Sequence, residues 1–180
     1  MPVSLTPDYL FDRYDQIAPG WLARQGVTLL LSDLDFTLAP KSVRRPDEKL
    51  RTWIAAPEGQ DGDLPSCHRF PITAAGRRVT EFCAELGVPY QGHARKPSPK
   101  GLEAAMRKAG ADRRHTAMLG DKLLTDVLAA NRCGVLALMV EPAGGAVTAW
   151  QKVLHALQAP FKAVCRRRME KRGGKIDGEA

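Results

Sequence analysis

The chain has 180 residues and a formal net charge of +7 at pH 7, with 44% hydrophobic and 26% charged residues. These values are ordinary for one soluble globular domain with a sizeable core. No stretch approaches 18 uninterrupted apolar residues, and the N-terminus lacks the basic and then apolar pattern of a signal peptide. We therefore expect a cytoplasmic protein without a transmembrane segment.

The basic residues and the cysteines each narrow the class of protein. The four cysteines are widely separated and form no C-x-x-C pair, which favours free thiols over a zinc site or a disulfide framework. Residues 161–180 are rich in Lys and Arg, and we interpret them as a basic, disordered tail. The positive charge favours an anionic partner, which is nucleic acid, an anionic membrane surface or a phosphorylated substrate.

Apolar and polar segments alternate along the first half of the chain. Residues 1–26 predict a lead-in helix that packs on the core, with a break at Pro19 and Gly20. Residues 27–38 begin as an apolar run typical of a strand buried on both faces, and residues 47–55 predict a helix. Residues 56–71 are rich in turn-forming residues. A poor second strand lies at residues 69–73, where Pro71 argues against a central position in a sheet.

The second half of the chain continues this alternation. The predicted helices are residues 77–86, 98–110, 126–132 and 147–158, and the predicted strands are residues 88–90, 116–119 and 135–140. Strands that alternate with helices form a parallel sheet with helices on its faces. We therefore predict an α/β fold, a three-layer Rossmann-like parallel sheet, in residues 27–160.

Two aspartates follow the first apolar run. Asp33 and Asp35 would point to the same side if the strand continued through them, because side chains alternate along a strand. The carboxyl ends of parallel strands are where such sheets bind ligands. One carboxylate can act as a nucleophile while the other handles protons, although aspartates also occur at strand ends as turn residues.

A second pair of acidic residues follows the strand at residues 116–119. Asp121 comes directly after Gly120, and Asp126 follows five residues later, either as part of the site or as a helix cap. Each pair of like charges about 4 Å apart costs on the order of 4 kcal/mol at an effective dielectric constant near 20. Magnesium relieves such repulsion and takes carboxylates together with phosphate oxygens. The cluster therefore predicts Mg²⁺.

Two further residues are candidates for phosphate binding. Lys96 lies in a loop before a helix, where its ammonium would neutralise a carboxylate and a bound phosphate, although an ordinary exposed lysine fits the same position. Thr73 would donate its hydroxyl to a phosphate oxygen, or it is a plain loop residue. The sequence contains neither a P-loop nor a G-x-G-x-x-G motif after a strand, which argues against these nucleotide sites.

These motifs together resemble those of a known family. The segment from Asp33 to Leu38 resembles the first motif, D-x-D-x-T, of the haloacid dehalogenase-like (HAD) hydrolases. Lys96-Pro97 is similar to their third motif, and Gly120-Asp121 with Asp126 to their fourth. Further similarity points to the capless, type IIIA, YqeG-like branch, which is related to phosphatidylglycerophosphate phosphatases.

The resemblance implies a role for each matching position. Asp33 would be the nucleophile that forms an aspartyl-phosphate, and Asp35 would protonate the leaving alcohol and then activate water. Lys96 would stabilise the phosphoryl charge. The implied metal ligands are Asp33, Asp35 (through its backbone carbonyl), Asp121 and Asp126. The implied substrate-binding residues are Thr37, Thr73 and Lys96.

The sequence departs from this branch at two positions. Ile72-Thr73-Ala74-Ala75-Gly76 stands in the place where the branch usually has Ser-Asn-Asn, and Lys122 stands where it usually has Gln. The resemblance implies a magnesium-dependent phosphomonoesterase that acts on a lipid headgroup phosphate such as phosphatidylglycerophosphate, peripheral to the membrane. Two alternatives remain open. One is a phosphatase for soluble sugar or nucleotide phosphates, and the other is a catalytically weakened protein that binds RNA or ribosomal particles through its basic tail.

Overall fold

A computed structural model describes residues 4–55, 67–72, 76–144 and 149–171. The strands are β1 (Tyr9–Phe11), β2 (Leu29–Ser32), β3 (His68–Pro71), β4 (Thr116–Gly120) and β5 (Leu136–Val140). The α-helices are α1 (Pro19–Arg24), α2 (Glu48–Ala55), α3 (Arg77–Leu86), α4 (Lys100–Ala109), α5 (Leu128–Cys133) and α6 (Ala149–Lys171). A 3₁₀ turn spans Tyr14–Gln16, and a π-helical turn spans Leu123–Val127.

All strand pairs are parallel, and the sheet order is β1-β5-β4-β2-β3. Two hydrophobic cores lie on its opposite faces, one formed mainly with α1, α2 and α3 and the other with α4, α5 and α6. Neighbouring residues of a strand enter opposite cores: Leu30 belongs to the first, and Leu29 and Leu31 to the second. This arrangement confirms the predicted three-layer α/β fold.

The N-terminal segment differs from the predicted lead-in helix. Residues 9–11 form β1, which pairs with β5, and only Pro19–Arg24 is α-helical. The pairing is extended at Asp8, whose N–H donates to Ala137 O at 2.8 Å while its Oδ2 accepts the Ala137 N–H at 2.9 Å. Leu10 and Phe11 enter opposite cores, which is the period of a strand and not of a helix.

The C-terminal segment also differs from its prediction. The last helix, α6, continues past Pro160 to Lys171, so residues 161–171 are not the disordered tail that the sequence suggested. Cys165 is fully buried, and Lys162 is buried with its Nζ 2.6 Å from Glu141 Oε2. The buried positions recur at helical spacing, which the high density of basic residues obscured. Residues 172–180 lie outside the described residues.

The poor second strand proves to be an edge strand. β3 pairs only with β2 among the described strands, which fits Pro71 because proline is tolerated at a sheet edge. The predicted strand at residues 88–90 is absent; Gln91 instead donates its backbone N–H to Pro71 O at 2.9 Å. None of the four cysteines forms a disulfide, as predicted, and all four are buried. No helix in the described ranges is both long and apolar enough to cross a membrane.

Candidate active site

The loop after β2 carries the first pair of aspartates. The strand ends at Ser32, and the Asp33 N–H donates to Leu119 O on β4 at 2.8 Å. A tight turn follows, in which Leu34 O accepts the N–H groups of Leu38 and Ala39 at 3.1 and 3.2 Å. Because the extended conformation stops at Ser32, the alternation expected for Asp33 and Asp35 does not apply, and the two carboxylates have different partners.

Asp33 is buried, whereas Asp35 is partly exposed and forms an ion pair with Arg78 of α3. The guanidinium of Arg78 also donates from Nε to Val43 O at 2.9 Å and from its other terminal nitrogen to Pro40 O at 3.2 Å. Arg78 therefore ties Asp35 to the loop that follows β2. No local pattern in the sequence indicates that Arg78 belongs to the site.

The second pair of aspartates follows β4, the neighbour of β2. Asp121 lies directly after the strand, and Asp126 lies on the π-helical turn, where its Oδ2 accepts the Lys122 N–H at 3.1 Å. A Cβ atom at Gly120 would lie 2.2 Å from Asp126 Cβ and 2.3 Å from its Cγ. Gly120 is therefore required by the close approach of Asp126 to the strand end.

Asp33, Asp121 and Asp126 form one buried acidic cluster, in which one carboxylate oxygen of each lies within 4.8 Å of the others. Lys96 provides the buried counter-charge, with its Nζ 2.7 Å from Asp33 Oδ1 and 2.6 Å from Asp126 Oδ1. Asp33, Asp121 and Lys96 were expected to converge from the sequence, which left Asp126 open between a site role and a helix cap. The Asp35 carboxylate is not part of the cluster, so only its backbone carbonyl remains a candidate ligand.

Two other residues contact Asp121. The Thr37 hydroxyl donates to Asp121 Oδ1 at 3.2 Å, and Lys122 Nζ lies 2.8 Å from the same oxygen. Thr37 was predicted to bind substrate, and this stays a prediction; in the structure its buried hydroxyl contacts a carboxylate of the cluster. Lys122 was not predicted as a site residue, although its departure from the family pattern was a signal. Thr73 lies outside the described residues.

The protonation of the cluster reflects its burial. Burial, reinforced by the Asp126 carboxylate, raises the pKa of Asp33 to about 7 despite the opposing effect of Lys96. Burial also raises the pKa of Asp121, against the opposing effect of Lys122. For Lys96, burial acts to lower the pKa, but the carboxylates of Asp126 and Asp33 outweigh it and the pKa is raised. The cluster thus has three carboxylates and two lysine ammonium groups, and burial makes ionisation of the carboxylates less favourable.

These residues fit a hard divalent cation. Three buried carboxylates come from two adjacent strand ends, and carboxylate oxygen is the ligand type that Mg²⁺ prefers. Burial is the main cause of the raised pKa values of Asp33 and Asp121, and the nearby lysines do not offset it. An additional positive charge at this point would stabilise the ionised form of both carboxylates.

The loop that carries Lys96 packs against α4 at Gly101. A Cβ atom at this buried glycine would lie 2.4 Å from Ala94 O and 2.7 Å from Ala94 Cα. The loop backbone therefore approaches the helix at a distance that no other residue permits. This contact places Lys96, two residues after Ala94, at the acidic cluster.

We predict that Gly101→Ala destabilises the protein by about 1–3 kcal/mol, the usual cost of overpacking. Glycine to alanine in a helix normally stabilises by roughly 0.5–1 kcal/mol, so the sign is reversed. Gly20→Ala in α1 is the matched control, since the nearest atom to its Cβ would be the flexible end of Arg24 at 3.5 Å. Urea unfolding of both variants is the measurement; stabilisation by Gly101→Ala would contradict the close packing.

Comparison with known proteins identifies the family. The chain is 30% identical over 140 residues to the protein named "Probable phosphatase YqeG" from Bacillus subtilis (strain 168), which covers 76% of this chain and 77% of that protein. The chain belongs to the haloacid dehalogenase-like hydrolases, in their YqeG-like branch. A family model described as HAD-hydrolase-like matches residues 93–156 of this HAD protein. That match contains Lys96, Asp121 and Asp126.

One solved structure is also similar to this HAD protein. The crystal structure of an uncharacterized protein from Listeria monocytogenes serotype 4b aligns with a TM-score of 0.43 and 12% sequence identity. The alignment covers 76% of this chain and 99% of that chain.

Proposed function

We propose that this protein is a magnesium-dependent phosphomonoesterase that acts through an aspartyl-phosphate on Asp33. The observation that carries the proposal is the buried cluster of Asp33, Asp121 and Asp126 around Lys96, at the carboxyl ends of two adjacent parallel strands. Membership of the HAD family and the phosphatase named among its relatives support a phosphate ester as the substrate.

In the first step, a carboxylate oxygen of Asp33 attacks phosphorus, and the bond from phosphorus to the ester oxygen breaks. Asp35 gives its proton to the departing alkoxide. In the second step, Asp35 takes a proton from water, the water oxygen attacks phosphorus, and Asp33 is released with inorganic phosphate. The greater exposure of the Asp35 side chain, 25% against 10% for Asp33, supports this division of roles, because the leaving alcohol departs towards solvent.

Lys96 contributes a fixed positive charge beside the nucleophile. Its ammonium contacts Asp33 directly and is held by Asp126, so it is positioned to stabilise negative charge on a phosphoryl group bound to Asp33. Thr37 orients Asp121 through its hydroxyl. We keep Thr73 as a proposed donor to the phosphate, on the family resemblance alone.

The ligands that would hold Mg²⁺ are Asp33, Asp121 and Asp126, together with the backbone carbonyl of Asp35. The ion would supply a Lewis acid that neutralises charge on the phosphoryl oxygens. The other groups in the reaction are this chain's own side chains, and the buried Lys96 ammonium lies beside the nucleophile.

We further propose that the substrate is a phosphate monoester on a lipid headgroup, for example phosphatidylglycerophosphate. Helix α6 supports this choice, because Val153, Leu157 and Val164 lie on one helical face and are 49%, 62% and 41% exposed. Basic side chains follow towards the end of the same helix, namely Arg166, Arg167, Arg168 and Lys171. An exposed apolar stripe with basic neighbours suits an anionic membrane surface.

The proposal predicts hydrolysis of p-nitrophenyl phosphate that requires Mg²⁺ and is lost after treatment with EDTA. Asp121→Asn should raise the magnesium concentration needed for half-maximal activity by at least about tenfold, because one of the charged ligands is removed. Asp112→Asn is the matched control, since this exposed aspartate precedes β4 at the opposite end of the sheet. Full activity in EDTA would contradict the metal requirement.

A substrate panel separates the proposed substrate classes. Phosphatidylglycerophosphate in mixed vesicles, a set of sugar phosphates and a set of nucleoside monophosphates are compared by phosphate release. The lipid proposal predicts the highest kcat/KM for the vesicle substrate. Preference for a soluble phosphate would identify the second candidate class, and absence of hydrolysis of every substrate would contradict the proposed function.

A further inference from the structure

Lys122 occupies a position in the acidic cluster that differs from that of Lys96. Lys96 is 10% exposed and contacts two carboxylates, whereas the Lys122 side chain is 41% exposed and contacts only Asp121 among the described carboxylates. Lys122 is thus the lysine whose ammonium can move into solvent by breaking its contact with a single carboxylate.

The Lys122 ammonium also has a second contact. Its Nζ lies 5.4 Å from the centre of the Phe36 ring, in the turn after Asp33 and Asp35. An ammonium within about 6 Å of an aromatic face is attracted to it. The ammonium makes this contact in the same conformation as its ion pair with Asp121, so the ring adds a second attraction that keeps the side chain beside the site.

We infer that the Lys122 ammonium competes with the divalent cation for Asp121 and leaves this carboxylate when the cation binds. The inference rests on the proposed function for the presence of the metal. Lys122 Nζ is 2.8 Å from Asp121 Oδ1, so a cation bound to that oxygen would lie within a few ångströms of a second positive charge. The competition makes the apparent affinity for the cation lower than the three carboxylates alone would give.

Direct measurement of Mg²⁺ binding without substrate tests the inference. By isothermal titration calorimetry, Lys122→Met should bind Mg²⁺ about five- to tenfold more tightly than the wild type, because the competing charge is gone and methionine adds no oxygen ligand. Lys100→Gln is the matched control; it removes the same charge from an exposed lysine four residues after Lys96, and its Kd should stay within about twofold of the wild type.

The metal-free proteins give a second readout. Lys122→Met should have a lower melting temperature than the wild type in EDTA, since the cluster loses a counter-charge, and a larger increase on adding Mg²⁺. Lys122→Arg should behave like the wild type in both experiments. Equal affinities of Lys122→Met and Lys100→Gln, or weaker binding by Lys122→Met, would overturn the inference. If instead the wild type fails to bind Mg²⁺ and Asp121→Asn has no effect, the proposed metal site itself is wrong.

Discussion

Asp33→Asn is expected to abolish phosphatase activity, with a loss of at least about 10³-fold in kcat. An amide is not a nucleophile towards phosphorus, and removal of a nucleophile commonly costs more than this factor. The substitution preserves the shape of the side chain and its contact with Lys96, so the loss would report chemistry. Asp112→Asn, away from the site, should retain full activity.

The same variant is expected to be more stable than the wild type above pH 7 when metal is absent. Burial raises the pKa of Asp33 from 3.8 to about 7, so between these values the folded protein holds a proton that the unfolded chain has released. Stability present at low pH is therefore lost as the pH rises through about 7. Asparagine resembles the protonated form and removes this loss.

Melting temperatures in EDTA between pH 4 and pH 8.5 test the effect. The wild type and Asp33→Asn should have similar values near pH 4, diverge as the pH rises to about 7, and keep a constant difference at higher pH. For a chain of this size, each 1 kcal/mol corresponds to roughly 2–4 °C. A variant that is less stable than the wild type at pH 8 would show that the ionised Asp33 stabilises the metal-free fold, against the direction of its pKa shift.

Much of this site was predictable because its residues follow buried strands. Asp33 and Asp121 come directly after apolar runs, and parallel strands place such residues at one edge of the sheet. The partner of Asp35 was not predictable in the same way. Arg78 contacts Asp35 because α3 packs beside the loop after β2, and no local sequence pattern predicts that packing.

The ends of the chain were predicted less well than the site. In β1, only three residues pair with β5, and the strand is too short to show a period of two. In α6, the basic residues near the C-terminus outweighed the buried positions at Cys165 and Lys162 in the sequence interpretation. A lysine is buried only where a partner elsewhere in the chain balances its charge. The partner of Lys162 is Glu141, and nothing in the sequence indicates that these two residues pair.

Lys96→Met is expected to destabilise the metal-free protein by about 3–5 kcal/mol at pH 8 and to remove activity. The substitution leaves the carboxylates of Asp33 and Asp126 buried without their shared counter-charge, and breaking a buried ion pair by removing one partner costs this much. Urea unfolding in EDTA is the measurement. The loss should be smaller at pH 5, where Asp33 can hold a proton.

Lys162→Met is the matched control for burial of a lysine. Its ammonium is also buried, but Glu141 is 31% exposed and remains hydrated after the substitution. The cost should therefore be smaller than for Lys96→Met, and phosphatase activity should remain. Equal destabilisation by the two substitutions would show that the cost comes from loss of side-chain packing and not from the unpaired carboxylates.

A double variant separates the two contacts of Lys96. Asp126→Asn removes one of the two negative charges that Lys96 neutralises, while its amide oxygen can still accept the Lys122 N–H. The double variant should lose less free energy of unfolding than the two single variants together, by about 1–3 kcal/mol, as expected for groups in direct contact. Strict additivity would contradict the ion pair between Lys96 and Asp126. Added Mg²⁺ should reduce the coupling, because a divalent cation at the cluster provides the counter-charge that Lys96 supplies in its absence.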